Sequence, residues 1–193
     1  HVYILKETGE IVDNCQKRPQ RLFEERELSV DECAGYLQKA ISLLKSQTAA
    51  SDGSEGTLKV IITVSPIRYA KYGYHGSQLS KATLLLAADK LVKENPGVVS
   101  YFPAYEIMND ELRDYRFYKE DMLHPSEQAV EYIWERFRAT YFGKAAELFL
   151  EDWRPIREAL GHKPFHPESE EHQKFIARTE EKKRQFEEKY HLL

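Results

Sequence analysis

The segment Glu120-Asp121-Met122-Leu123-His124-Pro125-Ser126 sets a carboxylate three residues before an imidazole. On a loop held open by Pro125, Asp121 can receive the Nδ1 proton of His124 and leave Nε2 facing a nucleophile, which makes a competent general base. The same residue types also serve a plainer end. Asp121 and Ser126 can cap a helix with His124 as a loop histidine, and by spacing alone Asp-x-x-His recurs by chance.

Other residues compete for chemistry. Cys15 and His124 form a thiol-imidazole pair if both reach one sheet edge, and a lowered thiol pKa would then make the sulfur nucleophilic; a structural thiol is the alternative. His162, His166 and His172 have ligand chemistry, but Pro164 and Pro167 forbid a helix that would put them on one face, so no metal is expected. Tyr69, Tyr72 and Tyr74 could wall a sugar or acyl group, or be a plain surface loop. Glu106, Asp110, Arg113, Asp114 and Arg116 read as an ion network fixing the Asp121 loop, with an arginine that anchors a substrate carboxylate as the functional rival.

Elements must position these groups. Val2 to Leu5 and Ile11-Val12 flank a glycine-containing connection of hairpin length, an antiparallel pair with Asn14 and Cys15 just beyond it. Ser29-Val30-Asp31-Glu32 has capping-box spacing, and Cys33, Leu37, Ala40, Ile41 and Leu44 follow at helical intervals, so a helix is expected from about 30 to 46. Gln47 to Thr57 reads as a flexible connection. Leu58 to Val64 reads as a strand buried on both faces, of parallel-sheet type. A loop over Ile67 to Ser77, a helix over Leu79 to Glu94 and a strand over Val98 to Phe102 complete a βαβ signature. Pro125-Ser126 opens a helix with Ala129, Val130, Ile133, Trp134 and Phe137 on one face. Beyond Gly143 no strand is expected: Lys144 to Leu160 is helical to a bend near Pro155, His162 to Ser169 is a loop, and Glu170 to Leu193 is helical. From Pro167 onward 13 of 27 residues are charged, so this last helix reads as a solvated one packed by a narrow stripe.

Composition bounds the function. The chain has 193 residues, 41% hydrophobic and 31% charged, enough for a core that buries roughly 70% of the unfolded surface. With 28 Lys+Arg against 32 Asp+Glu the net charge is -4 and no basic block exists, so nucleic acid is not an expected partner. The longest apolar runs, Val60 to Val64 and Leu84 to Ala88, are far shorter than a bilayer span, so no membrane partner is expected. Two cysteines make no disulfide framework, and a reducing, cytoplasmic location is the default.

Five blocks in order closely resemble the GSCFA-domain family: Thr63-Val64-Ser65-Pro66; Gly76-Ser77-Gln78-Leu79-Ser80-Lys81-Ala82; Tyr101-Phe102-Pro103-Ala104-Tyr105-Glu106-Ile107-Met108; Asp114-Tyr115-Arg116-Phe117-Tyr118; and Asp121-Met122-Leu123-His124-Pro125-Ser126. The opening Gly9-Glu10-Ile11-Val12-Asp13-Asn14-Cys15 resembles it too. That family looks like a branch of the SGNH/GDSL hydrolases. The resemblance implies an α/β fold, a three-layer flavodoxin-like parallel sheet, incomplete here at its N-terminal side and followed by a helical tail. Residues 1–142 would be the C-terminal part of the SGNH-like domain, and 143–193 a helical extension packed on it.

The resemblance also implies roles. Asp121 would be the orienting carboxylate and His124 the general base of a Ser-His-Asp triad. The Gly-Ser-Cys-Phe-Ala block that supplies the serine is absent, and the chain opens on His1-Val2-Tyr3, so the natural start is expected upstream and these residues alone are expected to be inactive. Asn14, Ser65, Ser77 and Tyr74 are the oxyanion or substrate-binding candidates. Family members often carry His after the Asn-Cys pair and Asn before Gln-Leu-Ser-Lys, where this chain has Gln16 and Ser77. The implied reaction is hydrolysis of a small ester or acylated carbohydrate with no cofactor. Acyl transfer by the same residues and a non-catalytic carbohydrate- or ligand-binding module are the alternatives. Association with the upstream segment, or with a second copy, is the expected partnership.

Overall fold

The computed structural model describes residues 1–12, 15–52 and 58–192. The chain is mixed α/β and predominantly helical, and divides into two compact units, His1–Trp134 and Glu135–Leu193.

In the first unit, β1 (Val2–Leu5) pairs antiparallel with β2 (Ile11–Val12) on one side and β3 (Phe23–Arg26) on the other. β3 departs from the expectations above. Its Phe-Glu-Glu-Arg run lacks an apolar signal because it is a sheet edge that buries Phe23 alone, and charge on an edge strand discourages further pairing. Lys71, in a turn at residues 70–72, is tied to the sheet: its Nζ lies 3.0 Å from both carboxylate oxygens of Glu25 on β3 and donates to the Tyr3 hydroxyl on β1.

Helix α1 (Val30–Asp52) opens on a capping box, with the Glu32 amide donating to Ser29 Oγ at 3.2 Å and the Ser29 amide to Glu32 Oε2 at 2.9 Å. Arg26 adds an ion pair at 2.5 Å, and these contacts, the Arg26 bond first, hold the Glu32 carboxyl down to about 2. The helix outruns its expected end near residue 46. Gln47 to Asp52 contains no Gly or Pro, and serine, threonine and alanine can continue a helix. The remainder of the expected connection, residues 53–57, lies outside the described residues.

β4 (Val60–Ile62) and β5 (Val99–Tyr101) form a parallel pair in the register Val60 to Val99, Ile61 to Ser100 and Ile62 to Tyr101, joined through α2 (Gly73–Glu94). α2 begins six residues earlier than periodicity suggests. Gly76 explains part of this: a Cβ there would meet Tyr72 Cβ at 2.9 Å, so only glycine lets the opening turn close onto the preceding loop. Ala34 and Ile41 of α1, Ala87 and Leu91 of α2, and Val99 of β5 share one buried cluster, with Val60, Ile62 and Cys33 packed against it. The expectation that β4 is buried on both faces is not met. Ile61 is 39% exposed, because α1 and α2 pack against the face that carries Val60 and Ile62, and Ile61 points from the other.

After β5, the short α3 (Ala104–Glu106) runs on as a π-helical turn over Ile107–Leu112 that ends at Arg113 in the left-handed region, φ 52°. Helix α4 (Glu127–Tyr141) follows, and its Ala129 is fully buried with Met108 and Phe117. Val130, expected on the apolar face, is 56% exposed, because the buried positions follow Ala129 and Ile133.

In the second unit, α5 (Lys144–Gly161) continues through Pro155, and α6 (Glu170–Lys189) is capped by Ser169, whose Oγ accepts the His172 amide. Phe149 and Trp153 of α5 meet Phe186 of α6 at ring separations of 4.9 and 5.2 Å, and Asp152 accepts from Lys189 and from the Tyr190 hydroxyl at 2.6 Å each. His162 and His172 pack beside the Phe175 ring, at 5.7 and 6.2 Å.

Candidate functional site

The Asp121 loop is closed at its neck by main-chain hydrogen bonds. Tyr118 and Pro125 stand opposite one another, the Lys119 amide donates to the His124 carbonyl at 2.8 Å, and the Ser126 amide to the Phe117 carbonyl at 2.7 Å. Ser126 then caps α4, its Oγ accepting the Ala129 amide at 3.3 Å. Within the loop Met122 takes a left-handed conformation, φ 59°, which costs a non-glycine residue about 1–2 kcal/mol and so needs surrounding contacts to hold it.

Those contacts converge on Asp121 and His124. One oxygen of Asp121, Oδ1, accepts the amides of Leu123 at 2.8 Å and His124 at 3.0 Å, while Oδ2 lies 2.5 Å from His124 Nδ1. The carboxylate is therefore oriented by the backbone while it holds the ring. The His124 amide, then the Leu123 amide, then the His124 ring hold the Asp121 carboxyl down to about 2. It stays ionised at any pH where a general base would work, and its bond to Nδ1 directs that nitrogen's proton inward, leaving Nε2 as the free basic position. The His124 side chain is 54% exposed, and Asp121 borders an open groove of about 760 Å³ with Arg116, Lys119 and Ser126.

The loop after β4 reaches the same place. The Arg68 amide donates to the Leu123 carbonyl and its guanidinium to the Met122 carbonyl, both at 2.9 Å. That guanidinium also lies over the rings of Tyr74, Tyr115 and Tyr118, at 4.4, 5.6 and 5.5 Å. Arg68 thus joins the segment after one parallel strand to the segment that carries Asp121 and His124. Spacing did not single it out; the signal available was an arginine six residues beyond the end of β4, in a tyrosine-rich loop.

Of the substrate-binding candidates, Tyr74 stands at this junction through Arg68. Ser65 and Ser77 have backbone partners: Ser65 Oγ accepts the Ile67 amide at 3.3 Å, and buried Ser77 Oγ accepts the Tyr69 amide at 3.1 Å. Ser77 lines a second cleft of about 290 Å³ with Tyr69 and Lys81. Buried Lys81 donates from Nζ to the Ser65 carbonyl at 2.6 Å, and burial pushes its pKa down. Asn14 lies outside the described residues. Cys15 and Cys33 are free thiols, both partly exposed. No helix among the described residues is long and apolar enough to cross a membrane.

No curated protein and no solved structure matches this chain. Two family comparisons do: the GSCFA family over residues 1–137, and the GSCFA domain protein C-terminal domain over residues 153–193. The first match takes in the antiparallel sheet, the parallel pair and the whole Asp121–His124 loop, and on it this chain belongs to the GSCFA family.

Proposed function

We propose that this chain carries the acid-base half of an SGNH-type acyl-ester hydrolase, with the nucleophilic serine on a segment upstream of residue 1. The observation that carries this reading is the Asp121 carboxylate, fixed by two amides and bonded to His124 Nδ1 at 2.5 Å, beside an exposed imidazole. In the reaction His124 Nε2 takes the serine proton as Oγ attacks the ester carbonyl, and Asp121 stabilises the imidazolium. The proton passes to the departing alcohol, and a water activated by the same nitrogen releases the acid. An alcohol in place of that water makes the enzyme an acyltransferase.

In this reading β4 and β5 belong to a larger parallel sheet of three-layer, flavodoxin-like type, and a helical layer upstream covers the face that exposes Ile61. Ligands of such sheets bind beyond the C-terminal ends of the strands, where Ser65 to Arg68 and the Asp121 loop follow β4 and β5 in the chain.

The test is hydrolysis of p-nitrophenyl acetate. Residues 1–193 alone should not exceed a His124→Ala control. The longer polypeptide with the upstream serine should turn over, and His124→Ala should lower its kcat by about 10³-fold or more. Unchanged turnover in that variant ends the hydrolase reading and favours a binding module on the same fold.

A further inference from the structure

Beside the Asp121 loop is a cleft of about 250 Å³ that the proposed chemistry does not use. Arg68 and Arg113 border it together with the amides of Gln78 and Asn109 and the rings of Tyr115 and Tyr118. Its charge is unbalanced. Arg68 gives a hydrogen bond to a neutral carbonyl and sits among neutral rings, and neither Arg68 nor Arg113 has an ion pair among the described residues. The cleft's one carboxylate, Asp114, is already engaged: it accepts the Arg116 amide at 2.9 Å and faces Arg116 Nε at 4.0 Å.

The amides are oriented as well. Gln78 Oε1 accepts the Tyr105 hydroxyl at 2.7 Å, which leaves its NH₂ as a donor, and Asn109 Nδ2 donates to the Tyr105 carbonyl at 2.7 Å, which leaves its oxygen as an acceptor. Tyr115 is 65% exposed and offers a flat apolar face. Two guanidiniums without ion pairs against one carboxylate, with a donor, an acceptor and a ring face, suit a hydroxylated ring that bears a carboxylate. The volume, just below the usual ligand-pocket range of about 300–1,000 Å³, fits one such ring.

The geometry points to this cleft as the subsite for a carboxylate-bearing sugar unit of the substrate, with Arg68 and Arg113 holding the carboxylate. Because Arg68 also holds the Met122 and Leu123 carbonyls, an acid seated there lies against the loop of the base. This deepens the hydrolase reading and rests on it for the word substrate; the binding itself does not.

The experiment is a titration of the 193-residue chain, followed by amide NMR shifts, with D-glucuronate, D-glucose and inorganic phosphate. D-glucuronate should shift the signals from Arg113 to Tyr118 saturably. D-glucose at equal concentration should not, and phosphate should bind at least about tenfold more weakly. Arg113→Gln, at an exposed position, should weaken D-glucuronate about tenfold, the loss of one charge-assisted hydrogen bond. Arg154→Gln in the second unit should leave it unchanged. Equal response to glucose, equal affinity for phosphate, no saturable shift, or an unaltered Arg113→Gln overturns the subsite. Retained D-glucuronate binding alongside His124-independent ester turnover would remove the hydrolase reading and leave the subsite standing. Lost binding with His124-dependent turnover would do the reverse.

Discussion

From Arg113 to Ser126 two non-glycine residues, Arg113 and Met122, sit in the left-handed region, and the segment is held by bonds to carbonyls, amides and the carboxylates of Asp114 and Asp121. The α5–α6 pair is built the opposite way, from two regular helices closed by Phe149, Trp153, Phe186 and Tyr190 in mutual ring contact. Apolar packing is tolerant of direction and strong in sum, so it serves stability. Polar bonds are directional and individually weak, so they serve to aim a carboxylate and an imidazole. The contrast teaches where each kind of damage will register.

The largest effect should come from Phe186→Ala. The ring is buried among three aromatic side chains, and its loss should cost about 3–5 kcal/mol, read as a lowered denaturation midpoint. A loss below 1 kcal/mol would show that the ring cluster does not carry this unit.

Arg68→Ala should be smaller in stability and larger in aim. It removes one hydrogen bond and the contacts with three rings, about 1–2 kcal/mol, and frees the carbonyl that steadies Met122. Amide exchange at Leu123 and His124 should quicken while the melting of α5–α6 stays put. Unaltered exchange would mean that the loop's own bonds suffice.

The mildest perturbation is acid. Asp121 has a folded pKa of about 2, below its ordinary 3.8, so the ordering it provides is complete above that ordinary value and is lost as pH falls toward 2. The amide shifts of Leu123 and His124 should share an acid transition centred well below the ordinary 3.8. Movement centred near pH 4 would place the carboxylate outside the two amide bonds.

Much of the local structure was legible from residue order, because it arises between near neighbours. Ser29 and Glu32 cap α1 across three residues, and Asp121 meets His124 across three, with geometry that a proline-flanked turn nearly imposes. Hydrophobic period likewise located α1, α2, α4 and the parallel pair. β3 was not legible, since an edge strand with one buried ring has no alternation to detect. Ser65 and Ser77 were legible as polar positions in the right blocks, yet the partners of their hydroxyls depended on how the loop after β4 folds.

What tertiary structure alone decided are the contacts between distant segments. Arg68 finds Met122 and Leu123 more than fifty residues away, Lys81 finds the Ser65 carbonyl, and the π-helical turn carries Arg113 to the same cleft as Arg68. Spacing along the chain cannot announce such pairs, because their separation is set by loop closure and by the packing of whole elements. Residue order by itself set Asp121 three residues before His124 and so within reach of their mutual bond; only the fold decided which arginine braces them and which cleft stands beside them.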